Sequence, residues 1–224
     1  MSAVSGSVVL VVGASGGLGS RIAALLVQHG ADVVRAGRAG LYGDGAYLAE
    51  LRSVDGPGSL VAAALSAHGR LDGVVIASGV VAFGPAEEIA DDALAELFET
   101  NAVAPIRLIR AAHPALLASA TEGRHPFVLT ISGVVAETPT AGLAAYSASK
   151  AALAAFIAAV AREHRRAGIR YLDARPGHTA TALSEHPIAG VAPRFGAALD
   201  PDAVAARIVH GIETGERDLP SSAF

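Results

Sequence analysis

The chain has 224 residues, a formal net charge of −4, about half of its residues hydrophobic, and no cysteine. That length suits one α/β domain with a substantial core. The lack of cysteine excludes disulfides, thiolate nucleophiles and Cys-ligated zinc, and no basic block or basic helix face offers itself to nucleic acid or an anionic membrane.

Met1–Ser7 carries no basic region, and the apolar run that follows is only strand length, so no signal peptide is expected. The longest Ala-rich apolar run, Ala151–Ala161, is too short to cross a bilayer. The expectation is a soluble, cytoplasmic protein. No His/Asp/Glu group has metal-ligand spacing, and no metal is expected.

Val8–Val12 reads as a buried parallel strand, β-branched and stopped by glycine. Gly13-Ala14-Ser15-Gly16-Gly17-Leu18-Gly19 follows, then a helix with Ile22, Leu25, Leu26 and His29 on one face, then a strand over Ala31–Ala36. Strand, glycine turn, helix and strand in this order form a dinucleotide-binding unit. Its glycines admit a pyrophosphate to the backbone, and the free N–H groups of the helix start bind the anion. Gly13, Ser15, Gly16, Gly17, Leu18 and Gly19 are the candidate contacts. The second strand closes with Gly37-Arg38, where an NAD-preferring site places an acid. A guanidinium suits a 2′-phosphate, which favours NADP over NAD.

Residues 39–59 are loop-rich, with a short third strand near Tyr47–Leu51; either Glu50 or Asp55 is placed to reach an adenine amino group. A helix over Ser59–His68 leads to a strong strand, Gly73–Ala77, which ends at Ser78-Gly79-Val80. The helix that begins at Asp91 runs on through Asn101 despite Pro105. An Asn and a helix-interior Pro so close together predict a functional kink, or else two abutting helices. His125–Ile131 is the fifth strand and leads into Ser132-Gly133. A helix over Ala148–Ala167 is lined with small residues, which permit pairing with a second copy or close packing on its own sheet. Ile169–Ala174 is the sixth strand, and Arg175–Thr181 turns at its carboxyl end, where ligands of such sheets sit. Residues 182–199 are irregular and suit a lid, whose Leu183, His186, Ile188, Val191 and Phe195 suggest a mainly apolar pocket. Asp200-Pro201 opens a last helix to about Ile212. The class predicted is α/β, a single Rossmann-type doubly wound parallel sheet flanked by helices.

Tyr146 and Lys150 stand four apart at a predicted helix start, on one face and one turn from each other. An ammonium beside a phenol favours the phenolate, so Tyr146 is expected to titrate below about 10 and to exchange a proton with an alcohol or carbonyl oxygen.

Taken together these motifs resemble the short-chain dehydrogenase/reductase family over essentially the whole chain. The family's Thr-Gly-x-x-x-Gly-x-Gly turn matches Val12 through Gly19, with Val12 replacing the Thr. Its Asn-Asn-Ala-Gly stands as Ile76-Ala77-Ser78-Gly79, where only the glycine is kept. Its kink Asn is Asn101, its Tyr-x-x-x-Lys is Tyr146 and Lys150, and its Pro-Gly turn with a following Thr is Pro176, Gly177 and Thr181. The resemblance implies hydride transfer between NADP and a small-molecule carbonyl or alcohol, in a homodimer or homotetramer. Tyr146 would be the acid/base. Lys150 would hold the nicotinamide ribose, and Asn101 a relay water. Arg38, Asp55, Ala77, Ser78, Gly79, Pro176, Gly177, Thr179 and Thr181 would complete the cofactor site.

One position departs from the pattern. The family's substrate-binding Ser falls on Gly133, thirteen residues before Tyr146. Ser132 replaces it only if the strand has ended or bulges there, because neighbours on a strand point to opposite faces. A water or a Thr of the 138–140 loop are the alternatives. The same departure motivates a rival function, a cofactor-binding sensor or scaffold. Epimerisation or dehydration on the same fold is a further option.

Overall fold

The computed structural model describes residues 3–37, 46–48 and 50–224. The six parallel strands are β1 (Val8–Val12), β2 (Asp32–Gly37), β3 (Ala46–Leu48), β4 (Gly73–Ile76), β5 (Phe127–Ile131) and β6 (Arg170–Ala174). They lie in the order β3-β2-β1-β4-β5-β6. The helices are α1 (Gly17–Gln28), α2 (Gly56–His68), α3 (Asp91–Phe98), α4 (Ala104–Thr121), α5 (Ala144–Glu163) and α6 (Pro201–Thr214).

The inner strands are continuous apolar runs because both faces are covered. Val8, Leu10 and Val12 of β1 face one layer, where Leu60 of α2, Leu108 and Leu116 of α4, and Leu153 and Ile157 of α5 pack. Val9 and Val11 face the other, against Ile22 and Leu26 of α1 and Val204 and Ile208 of α6. This is the doubly wound Rossmann arrangement. The chain order reverses at β1, which pairs β2 on one side and β4 on the other. The carboxyl ends of β1 and β4 therefore flank the crevice where such sheets take ligands.

Several elements differ from expectation in extent. The third strand is only Ala46–Leu48, and Leu51 turns into the core after it. The second helix starts at Gly56, with Pro57 in its first turn, where the missing N–H costs nothing. The expected kink is a π turn over Glu99–Val103, marked by the Ala104 N–H reaching back five residues to the Glu99 carbonyl. Pro105 falls in the first turn that follows, and it has no N–H to give the carbonyl of Asn101. The extra residue and the missing donor thus fall at one place.

Helix α5 begins at Ala144, so Tyr146 and Lys150 lie inside it. Its twenty residues are apolar enough by length and composition to cross a membrane. That corrects the shorter run read from sequence. Leu153, Ile157 and Val160 of α5 pack into the core instead, as in an interior helix. At the sheet edge the tail adds one bridging residue: Leu219 donates its N–H to Asp173 and accepts from the N–H of Arg175.

Candidate active site

Three loops converge at the carboxyl ends of the strands. Gly13 has φ +84°, and a Cβ there would lie 2.6 Å from the Ser78 nitrogen, so the turn after β1 rests directly on the turn after β4. A Cβ on Gly19 would overlap the Gly13 carbonyl oxygen, which only a bare backbone lets approach. A Cβ on Gly17 would lie 2.7 Å from the Thr181 methyl, so the loop after β6 closes on the same cradle. Thr181 is held there by its N–H on the Thr179 carbonyl at 2.7 Å, and the Thr179 hydroxyl bonds the Gly177 carbonyl at 3.0 Å.

The cradle suits a dinucleotide. Helix α1 has Gly16 at its cap and no side-chain cap, which leaves its first-turn N–H groups to an external anion. Ser15 and Gly16 are exposed there, and Leu18 is half-buried. The Ser78 hydroxyl is buried without a partner among the described residues, a donor awaiting an acceptor beside Ala77 and Gly79. Arg38 lies outside the described residues. Of the two acids considered for adenine, Glu50 engages the Arg52 guanidinium with both oxygens at 3.0 and 3.1 Å, and Asp55 is exposed.

The Tyr146–Lys150 face of α5 meets this cradle at Gly79. A Cβ on Gly79 would stand 3.2 Å from both Asn101 Oδ1 and Lys150 Nζ. The one glycine kept in Ile76–Gly79 therefore admits both groups at once. Asn101 is wholly buried, and the π turn carries its side chain inward. Its Oδ1 accepts the Val80 N–H at 2.9 Å. Its Nδ2 donates to the Val80 carbonyl at 2.9 Å and to Ser149 Oγ at 3.0 Å. Ser149 in turn donates to the Tyr146 carbonyl at 2.8 Å. Asn101 thus fastens the end of β4 to the start of α5.

Lys150 is 5% exposed, and its Nζ donates to the Ile131 carbonyl at 2.9 Å. Burial lowers it to about 8, against the pull of the Asp173 carboxylate, which raises it. Lys150 is also the chain's single lysine, a signal open to sequence reading that composition conceals, since every other Lys/Arg position is an arginine. An arginine could not lose its proton near neutrality. Tyr146 packs against Val80, Ala82 and Leu97 on one side and Val81, Phe83 and Leu143 on the other. Burial pushes its phenol up to about 12, which corrects the expectation that Lys150 lowers it. Lys150 Nζ is turned to a main-chain acceptor, 5.9 Å from the Tyr146 ring centre, and desolvation of the phenolate prevails.

Ser132 is buried, and its hydroxyl donates to Asp173. Strand β5 has ended at Ile131, and Gly133 takes φ +85° with room for a Cβ 3.6 Å from the Pro176 carbonyl. Space at Gly133 is thus available while its backbone suits glycine. Gly133→Ser is expected to cost about 1–3 kcal/mol of stability, because φ +85° with ψ 166° is a backbone region that essentially only glycine enters. Denaturant melts check this, and an unchanged or higher midpoint contradicts it.

The 182–199 segment is tied down at its middle and at its carboxyl end. Ile188 N–H bonds the Val81 carbonyl at 2.8 Å, and Phe83 N–H bonds the Ala189 carbonyl at 2.9 Å. Gly190, φ +74°, presses its bare backbone on Phe83. Leu199 N–H bonds the His178 carbonyl at 2.8 Å, and the His178 ring stacks on Phe195 at 4.1 Å. Beside this strap a cleft of about 420 Å³ is lined by Phe83, Ile89, Leu143, Ala145 and Val191, with Glu88 its one charged wall residue.

The short chain dehydrogenase family profile matches residues 45–189. The 3-oxoacyl-[acyl-carrier-protein] reductase of Salmonella typhimurium is 30% identical over 202 residues, covering 83% of this chain and 80% of that protein. A short-chain dehydrogenase structure from Streptomyces avermitilis superposes with a TM-score of 0.84 at 29% identity, covering 98% of this chain and 90% of that one. A 3-ketoacyl-(acyl-carrier-protein) reductase from Brucella melitensis, solved with NADH, shares the fold at a TM-score of 0.86 and 24% identity, covering 97% and 96% of the two chains. The Rossmann cradle with a Tyr-x-x-x-Lys helix beside it defines an oxidoreductase scaffold. The chain belongs to the short-chain dehydrogenase family.

Proposed function

We propose that the protein is an NADP-dependent carbonyl reductase, run in reverse as a secondary-alcohol dehydrogenase, with Tyr146 as its proton donor. The observation that carries this reading is the Tyr146–Lys150 face of α5 assembled against the glycine cradle through Gly79 and Asn101. When bound, the nicotinamide supplies the hydride. Tyr146 stays protonated at neutral pH, because burial holds its phenol near 12, so it is poised to give a proton to a forming alkoxide. Lys150 holds the cofactor ribose. Asn101 has both amide protons engaged and its Oδ1 on the Val80 N–H, and its main-chain carbonyl, which Pro105 cannot cap, is the acceptor that would hold a relay water.

With the Ser132 hydroxyl engaged by Asp173, and that of Thr140 donated to the Thr138 carbonyl at 3.2 Å, the substrate oxygen takes its second donor from water or from Thr138. The relatives support a carbonyl substrate, and the apolar cleft walls suit a substrate with an apolar arm. The test is NADPH consumption by the purified protein against aldehydes, ketones and diketones. Absence of turnover alongside tight NADPH binding would favour the second reading, a cofactor-binding sensor, which Gly133 and the engaged Ser132 motivate.

NADP preference rests on Gly37 and Arg38. Arg38→Ala is expected to weaken NADPH binding by tenfold or more, in line with about 1.5–3 kcal/mol for a charged hydrogen bond, and to leave NADH nearly unchanged. Fluorescence titration with both cofactors checks this, and equal weakening would make Arg38 a plain surface charge.

A further inference from the structure

Asp173 is a buried acid near the carboxyl end of β6, the last strand of the sheet, on the face that β6 turns toward α5. Parallel register sets it opposite Thr130, and strand alternation puts Tyr171 of the same face into the α4–α5 core layer. The residue is 3% exposed, beside a layer of apolar side chains. A carboxylate in such a place needs partners. Thr130 donates to its Oδ1 at 2.7 Å, Ser132 donates to its Oδ2, and Arg175 reaches Oδ2 at 3.3 Å.

Arg175 is a shared cation. Its Nε bonds Glu137, and a terminal nitrogen bonds Asp218 at 2.8 Å. Glu137 is further held by the Ser221 hydroxyl and N–H. Three carboxylates thus divide one guanidinium, and the cluster keeps a net negative charge. From the helix side Lys150 reaches the same turn: its Nζ is fixed on the carbonyl of Ile131, the residue before Ser132, and the Asp173 charge acts on it there. The other polar groups around Lys150 are Tyr146, Ser149 and Asn101, none of them anionic.

We propose that Asp173 is a positioning residue of the active site: its buried carboxylate is the counter-charge of Lys150 and anchors the Ser132–Gly133 turn below the substrate. The sheet thereby supplies Lys150 with the negative charge that an adjacent side chain of its own helix does not. Attraction to Asp173 opposes the desolvation of the ammonium, while the paired hydroxyls and Arg175 oppose the burial that raises the Asp173 carboxyl.

The experiment uses the single lysine. In untagged protein labelled with [13C]lysine, one ε-carbon signal reports Lys150 alone, in the protein without added cofactor. Asp173→Asn removes the negative charge and nearly keeps the shape. The ammonium loses its attractive partner and releases its proton more easily, so the midpoint is expected to fall by about one pH unit, the lower end for a nearby opposite charge. Ser132→Ala keeps the charge and should leave the midpoint in place. A midpoint unmoved in Asp173→Asn, or an equal shift in Ser132→Ala, overturns the proposal. If Asp173→Asn does not fold, Lys150→Met gives the reciprocal reading. Loss of the ammonium should then raise the titration midpoint of the Asp173 carboxyl carbon, and an unchanged midpoint overturns the proposal equally. The consequence for turnover rests on the reductase reading, namely a high-pH limb moved to lower pH in Asp173→Asn. The titration itself does not, so the two fail separately.

Discussion

Tyr146→Phe is expected to lower turnover by roughly 10²- to 10⁴-fold, the range for removing a positioned general acid, with NADPH affinity held within a few-fold. The phenyl ring keeps the contacts with Val80, Ala82 and Leu97 and with Phe83 and Leu143, so the surrounding clusters stay filled. Only the hydroxyl is lost, and no protein group depends on it for a bond among the described residues. Lys150 is held by Ile131 and Asn101 by Val80 and Ser149, independently of that hydroxyl. Initial rates and a fluorescence titration on the same preparation separate the two quantities. A parallel loss of binding and turnover would assign Tyr146 to cofactor binding or folding. Undiminished turnover would remove it from the chemistry altogether.

Gly19→Ala is expected to damage the cofactor cradle with almost no change in hydrophobicity. The added methyl runs into the Gly13 carbonyl and lies 3.2 Å from the Ala77 side chain, both in segments that cannot shift independently. Gly13 is itself pressed on the Ser78 nitrogen, and the Gly13 and Ala14 N–H groups are bonded to the Ala36 carbonyl. The helix start must therefore lift away from the turn. Overpacking of this kind costs about 1–3 kcal/mol, and the displaced N–H groups should weaken NADPH by roughly tenfold to a hundredfold. Gly58→Ala is the matched control, because it lies in α2 with nothing within 4 Å of its added carbon. That variant should gain about 0.4–1 kcal/mol of stability and bind as before. Similar losses in both would mean that the glycine turn is not special.

Much of this arrangement is local and could be read along the chain. The apolar run of β1, the glycines that stop it and the four-residue step from Tyr146 to Lys150 are short-range patterns, and backbone geometry converts each into a strand, a turn or a helix face. The faults at Asn101 and Pro105 likewise announced a disturbed helix, and a π turn lies there. Element ends were less legible. The first turns of α2 and α5 lack a side-chain cap bond; Pro57 marks the start of α2, but α5 opens in an Ala-rich run with no such signal.

The sequence by itself thus determined the alternation of strands and helices, the glycine turn after β1 and the Tyr146–Lys150 pair, because each depends on residues within a few positions of one another. Only the tertiary structure decided what those groups can do. Ser132 stands next to the vacated Ser position, yet its hydroxyl is taken by Asp173, 41 residues away, through the parallel register of β5 and β6. The proton affinity of Tyr146 runs opposite to the local expectation, since its ring packs among apolar side chains of the Val80–Phe83 turn, Leu97 and Leu143. Helix spacing fixes which two side chains are neighbours; burial and distant charge, assembled by the whole sheet, fix where their protons reside.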